Sequence, residues 1–344
     1  MRPEKGSIIR LSPPRAAFGQ RAVSLTHWGV WLHAIHPLPE LGKLAAAAEA
    51  LGAKAILVAD EGTDRDLFVT LAALAQRTRH VLLVGAVTNP HSRHPVTTAA
   101  AFASLAELAP GRIVAGFGTG GTRVFGPLGL APPRPYSSLV ECVDVVEALW
   151  RGETVTHHGE FDLNAARLPW SPGPVPLALA GRGPRAERLA AERADWVLLA
   201  GRSVQSVPAL FARLRELGVR AGGRAPKIAW NPVAAWTEAM REDLRAHLAY
   251  MAVDMPEADR LAIGVDSRAT AGAHAVISDE ALERYAIVGD RHEVIARLAN
   301  LCEQLEPELL VFDAGDYSTE FLEDVAALAT AAGAGRFQPA QIPS

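Results

Sequence analysis

Four stretches of this chain concentrate residue types that could do chemistry. Arg112-Ile-Val-Ala-Gly-Phe-Gly-Thr-Gly-Gly121 carries an apolar strand into glycines at 116, 118 and 121, matching the G-x-G-x-x-G dinucleotide fingerprint. That fingerprint requires a helix starting at the glycines and an acidic residue ending a second strand about 20 residues on. Thr122 to Pro135 instead holds Gly126, Pro127, Gly129, Pro132, Pro133 and Pro135, so no helix start is expected there. Glu141, at the right distance, lies in the three-and-four apolar spacing of a helix. The NAD reading fails, leaving an amide-rich loop suited to an anion or a planar ring.

Ala180-Gly-Arg-Gly-Pro-Arg185 joins a strand to a helix with Pro184 in its first turn; free amides with Arg182 and Arg185 beside them suit a phosphate, or make an ordinary turn. Val87-Thr-Asn-Pro-His-Ser-Arg-His-Pro95 leaves a buried strand and ends at a proline suited to the first helical position. His91 and His94 lack a third ligand at sensible spacing, so no metal is expected. Asp60 and Glu61 follow another apolar run. Glu61, desolvated by Trp28 and Trp31, is the candidate proton donor or base, alternatively a surface carboxylate paired with Arg65. Asp60 is expected to orient a cofactor or the loop. Adjacent His157 and His158 would face opposite sides of a strand and could not chelate one ion. Hydrolase elbows, zinc-protease helices and Walker sequences do not occur.

These stretches need a scaffold that brings strand ends together. At 344 residues and 49% hydrophobic, the chain can bury a sizeable core. A net charge of -4 lacks the basic excess of a nucleic-acid binder. The two cysteines, Cys142 and Cys302, fall in helical patterns, so no disulfide framework is expected. Met1 to Gln20 is polar and proline-bearing with no apolar core of signal-peptide length, no stretch approaches membrane-span length, and a cytoplasmic protein is expected. Strands are predicted at 22–31, 55–60, 81–87, 113–117, 175–180, 196–200, 227–231 and 309–313. Helices alternate with them, including 38–51, 64–78, 96–108, 136–150, 185–192, 204–217, 291–305 and 319–332. Eight strand-helix units predict a (β/α)8 TIM barrel over 21–335, with excursions near 152–174 and 250–285, an extension at 1–20 and a tail at 336–344. The mouth would then gather His27, Trp28, Trp31, His33, Asp60, Glu61, Thr88 to His91, Gly118 to Arg123, Gly181 to Arg185, Gly201, Arg202, Asn231, Trp236 and Asp313 to Gly315.

Together, Asp64-Arg-Asp-Leu-Phe-Val-Thr-Leu-Ala, Val87 to Pro95, Gly116-Phe-Gly-Thr-Gly, Leu149 to Phe161 and Ala180 to Arg185 occur in the order found in the bacterial luciferase-like superfamily. Within it the chain is similar to methylenetetrahydromethanopterin reductase and other enzymes using the deazaflavin F420, from about Leu38 to Ala332. The resemblance implies a homodimeric barrel holding a cofactor ring across its mouth, backed by a non-proline cis bond at Ala86-Val87. It would place Asn89, Thr119 and Gly120 by the cofactor, and offer the amides of Ala180, Gly181 and Gly183 to its phosphate. Relatives often carry Asp-His after strand two and an acid after the strand-four Gly-Thr-Gly; this chain has Asp60-Glu61 and Gly120-Gly121.

The resulting expectation is an F420-dependent oxidoreductase moving a hydride to or from an electrophilic C=N, C=C or C=O carbon of a small-molecule or peptide-linked substrate. An FMN-dependent monooxygenase is the alternative, and a non-catalytic cofactor carrier the second.

Overall fold

Short apolar runs become the eight strands of a barrel. The structure, a computed structural model, describes residues 26–170, 172–222, 225–255, 257–266, 276–313 and 317–334. The extension at 1–20, the tail at 336–344, residues 22–25 of the expected first strand and Gly315 lie outside them.

The barrel strands are β1 (His27–Leu32), β2 (Ala55–Val58), β3 (Leu82–Gly85), β4 (Ile113–Phe117), β7 (Leu177–Ala180), β8 (Trp196–Leu199), β9 (Lys227–Trp230) and β12 (Leu309–Asp313). Every barrel pairing is parallel, and the order β1-β12-β9-β8-β7-β4-β3-β2 closes on itself. This is the expected (β/α)8 barrel. Around it run α1 (Leu38–Ala50), α2 (Leu67–Ala75), α3 (Pro95–Leu108), α5 (Pro135–Trp150), α6 (Pro184–Arg193), α7 (Val207–Gly222), α11 (Arg291–Leu305) and α12 (Thr319–Ala331).

Local chemistry sets the helix starts. Pro95, Pro135 and Pro184 each open a helix, where a missing N–H costs nothing. The second helix starts at Leu67 rather than Asp64 because Asp66 caps it, accepting from Phe68 N and Val69 N at 2.9 Å. Asp290 and Glu293 form a reciprocal capping box on α11.

Strand alternation divides the core in two. Outward residues such as Val30, Leu32, Ile56, Val58 and Phe117 pack under the helices, while Leu57, Val84, Ala86, Val114, Ala178, Leu198, Ala229 and Val311 fill the barrel. Trp28 belongs to the outward set, 3% exposed. It therefore lies on the wrong face to desolvate Glu61, a correction to the expected environment of that carboxylate; Trp31 faces inward.

Two excursions leave the barrel. One is the antiparallel hairpin β5 (Val155–His157) and β6 (Leu163–Ala166). The other begins at β10 (Ala234–Ala235), continues through α8 (Glu238–Met251), α9 (Glu257–Ala262) and α10 (Asp279–Tyr285), and returns at β11 (Ile287–Val288), which pairs with β10. It packs a separate cluster around Leu248, Met255, Ile263, Ile277, Leu282 and Tyr285. A further single turn, α4 (Thr122–Phe125), follows the strand-four glycines, where no helix start was expected. Gly126 and Pro127 stop it after four residues, so the proline-rich composition limits the helix without forbidding its first turn. Among the described residues, no helix is long and apolar enough to cross a membrane.

Candidate active site at the barrel mouth

Small residues pave one half of the mouth. Gly116 and Gly118 face inward by alternation from Val114, beside Ala86, Ala178 and Ala180 of the neighbouring strands. The Ala86-Val87 peptide is cis, at the position the resemblance assigned. Pairing resumes beyond it: Thr88 N donates to Gly116 O at 3.0 Å, and Gly118 N to Thr88 O at 2.9 Å. Asn89, 2% exposed, shapes the next turn: its Oδ1 accepts from His91 N and Ser92 N, and its Nδ2 donates to Ser92 Oγ, each at 2.9 Å. Thr119 and Gly120 lie at the rim, Gly120 with φ +73°.

Next to this shelf is the start of α6. Gly183, at φ +90°, precedes Pro184, and no side chain caps the helix. Its first amides are therefore open to an anion. Arg182 Nη1 is buried without a hydrogen-bond partner, while Arg185 stacks its guanidinium 4.2 Å from the Tyr136 ring. Arg202 ties the loop down, donating to Gly181 O at 2.9 Å and to the buried Glu187 at 3.0 Å. Arg213 also donates to Glu187. The free amides and the buried Arg182 Nη1 are donors suited to an anion.

Polar and titratable groups gather on the other half. Asn231 Nδ2 donates to Val311 O at 2.9 Å, and lies 3.4 Å from Asp313 Oδ2. His33 Nε2 is 3.9 Å from Asp313 Oδ1, and Tyr317 clamps the His33 backbone, accepting from its N–H at 2.8 Å and donating to its carbonyl at 3.1 Å. Asp60 accepts from Thr88 Oγ1 at 2.6 Å; burial raises its pKa, opposed by that hydrogen bond. Glu61 is half-buried, and among the described residues its carboxylate has no hydrogen-bond or ion-pair partner. Arg65, its alternative partner, instead donates to Ala34 O.

The excursion adds groups that strand-end reasoning missed. His247 of α8 feels the charges of Asp313, Arg123, His33 and Glu61, and burial pushes its pKa down. Asp254, just after α8, accepts from Thr122 N at 3.0 Å. Neither residue follows a barrel strand, and no local pattern marks them; the sequence showed only an excursion near 250–285.

The histidine pairs do separate work. His94 caps α3 through Val96 N, His91 packs edge-on to Phe125, His157 binds Glu141 at 2.9 Å and His158 faces Asp162. Among the described residues, no group of three or more His, Cys, Asp or Glu is arranged to hold a metal ion. Both cysteines are buried, and burial pushes the Cys302 thiol up to about 12, so neither is an activated nucleophile.

Burial also lowers the pKa values of His27 and His91, as it does that of His247. An unfolded histidine takes its proton near pH 6.5, whereas these wait for lower pH. Stability is then full above about pH 6.5 and falls with pH below it. Asp60 acts oppositely: its contribution is present below the unfolded carboxyl value and is lost as pH rises through the raised folded value. The melting temperature should drop between pH 7.5 and 5.5 by scanning fluorimetry, and less so in a His91→Gln variant; a flat profile would contradict this.

A barrel with a glycine-paved shelf on one side of its mouth and a titratable cluster on the other defines the general class: a (β/α)8 protein built to hold a ligand at its strand ends. Residues 21–306 match the luciferase-like monooxygenase family, and the chain belongs to that family. It is 34% identical over 161 residues to a 5,10-methylenetetrahydromethanopterin reductase of Archaeoglobus fulgidus, covering 46% of this chain and 48% of that protein. It is 35% identical over 230 residues to an F420-dependent glucose-6-phosphate dehydrogenase of Nakamurella multipartita, covering 62% of this chain and 65% of that protein. These alignments thus span about half to two thirds of the relatives' lengths. The coenzyme F420 dependent tetrahydromethanopterin reductase of Methanopyrus kandleri shares the fold, with a TM-score of 0.73 at 20% identity over 88% of this chain and 97% of that one.

Proposed function

We propose that this chain is an F420-dependent oxidoreductase that moves a hydride to or from an electrophilic C=N, C=C or C=O carbon of a small-molecule or peptide-linked substrate. The observation that carries the reading is the continuous run from the shelf of Ala86, Gly116, Gly118 and Ala180 to the uncapped start of α6, where Arg182 Nη1 is buried without a hydrogen-bond partner. A flat ring fits the first and a phosphate the second. Relatives named as F420-dependent enzymes support the choice of ring.

In this reading Ala86 and Val87 back the ring, Asn89, Thr119 and Gly120 line it, and the loop Ala180, Gly181, Gly183, Pro184 and Arg185 receives the phosphate. When bound, the deazaflavin supplies the carbon that carries the hydride. Glu61 handles the substrate proton, because its carboxylate is unengaged whereas Asp60 is taken by Thr88. Asp60 fixes the loop after β2. His33, Asp313 and His247 orient the substrate's polar group. The resemblance further supports a homodimer; the strand-helix rhythm supports one domain over 21–335, and the cysteine usage a cytoplasmic location.

Equilibrium titration with oxidised F420 and with FMN, followed by fluorescence, tests the reading. Low-micromolar or tighter binding of F420 is expected on the affinity scale where 1 μM is about 8 kcal/mol. Tight FMN binding without F420 binding would replace it with a flavin monooxygenase.

A further inference from the structure

Gly121 has no side chain, and its backbone does not require that. Its φ of -158° is extended, open to any residue, unlike the +73° of its neighbour Gly120. The reason is space: a Cβ on Gly121 would come within 2.9 Å of Asp254 Oδ2 and 3.3 Å of its Cγ. The same carboxylate accepts from Thr122 N at 3.0 Å through Oδ1, across 132 positions of sequence, and its Oδ2 forms an ion pair with Arg123 Nε at 3.8 Å. Arg123 in turn lies 4.9 Å over the Tyr250 ring of α8. Asp254 is itself held in a turn, donating its N–H to Met251 O at 3.1 Å.

The segment so held has few backbone bonds of its own, and Phe125, buried against His91, is its side-chain anchor. As a four-residue turn ended by Gly126 and Pro127, α4 gains few of the backbone bonds that make a helix self-supporting. Its inner contacts are Phe125 N to Gly121 O at 2.9 Å and Gly126 N to Thr122 O at 2.8 Å.

We propose that Asp254 is a positioning residue for the cofactor loop: it clamps Gly121 to Arg123 onto the second excursion, and so fixes Thr119 and Gly120 at the rim. The bare Cα of Gly121 is what admits the carboxylate. The excursion and the loop after β4 then move as one body. The assignment of the loop to a cofactor rests on the function proposed above; the clamp itself does not.

Amide hydrogen exchange and F420 titration of the full chain test it with Asp254→Ala, Asp254→Asn, Gly121→Ala and the double variant Gly121→Ala/Asp254→Ala. Loss of a charge-assisted hydrogen bond should speed exchange at the Thr122 amide by about tenfold in Asp254→Ala and weaken F420 binding by a similar factor. Asp254→Asn keeps an oxygen acceptor and should restore most of the Thr122 protection. Gly121→Ala should weaken F420 binding by itself, yet add nothing in the Asp254→Ala background, because the clash partner is gone. Unchanged Thr122 exchange in Asp254→Ala, or additive effects in the double variant, would overturn the clamp. If the wild type binds no F420, the functional reading fails while Thr122 exchange still decides the clamp.

Discussion

Gly116→Ala is expected to leave little folded protein. A Cβ at this position would lie 1.8 Å from the carbonyl oxygen of Gly85 on the adjacent strand, far inside any tolerated contact, with Val87 Cγ1 at 3.2 Å. The obstacle is backbone on a central strand, so no side-chain rotamer can relieve it. β3 and β4 would have to separate, and with them the Thr88 N to Gly116 O and Gly118 N to Thr88 O bonds that carry the pairing past the cis peptide. A cost of about 3 kcal/mol or more follows, in the upper range for core overpacking. Gly111→Ala is the control: its φ of +73° disfavours a side chain, but nothing lies within 4 Å, so about 1 to 2 kcal/mol is expected. Soluble yield and urea midpoints measure both, and a Gly116→Ala midpoint equal to wild type would defeat the prediction.

The second large effect is at Arg202, only 8% exposed. Its guanidinium satisfies Glu187 and the Gly181 carbonyl at once, and lies 3.7 Å from Asp259. Burial and the nearby Arg182 both depress its pKa, so the site already bears a desolvation cost that the carboxylates offset. Arg202→Leu would leave Glu187, 4% exposed, with Arg213 alone and orphan the Gly181 oxygen. Breaking one side of such a buried pair costs about 3 kcal/mol, or about 4 °C of melting temperature in a chain this long. Because Arg202 holds the loop between β7 and α6, F420 affinity should fall with stability. Thermal denaturation read beside the titration checks this; a variant as stable as wild type would show that Arg213 suffices.

Legibility in the sequence followed the range of the interactions. Ala55 to Asp60 and Val81 to Val87 are continuous apolar runs because their strands are covered on both faces, so they stand out unaided. Pro95 and Pro184 mark helix starts through a purely local rule, whereas Pro135, counted among the residues that exclude a helix start, opens α5. The phase of β1 was not local: whether Trp28 or Trp31 faces the mouth depends on register with β2 and β12, where one position exchanges inside and outside. At the mouth, Asp60, Glu61 and the loop from Ala180 to Arg185 could be placed because barrel topology sends strand ends to one face. His247 and Asp254 could not, since they reach that face from an excursion whose path obeys no strand-helix rhythm. The Gly121 vacancy was visible, but its occupant belonged to another part of the chain.

The second excursion has its own core and a narrow neck, where Ala234 pairs with Ile287 and Ala235 with Val288. Leu248, Met255, Ile263 and Ile277 pack with one another and not with the interior of the barrel. Its fit to the barrel runs through a few polar bonds, among them Val204 N to Tyr285 O at 2.8 Å and Ser203 Oγ to Arg284 O at 3.2 Å. Changes on α8 therefore fall on a unit with its own hydrophobic packing, and they couple to the barrel chiefly through the mouth charges that His247 feels and the contacts of Asp254. The wall that this unit contributes to the mouth can thus vary without repacking the barrel, wherever the contacts of Asp254 are kept.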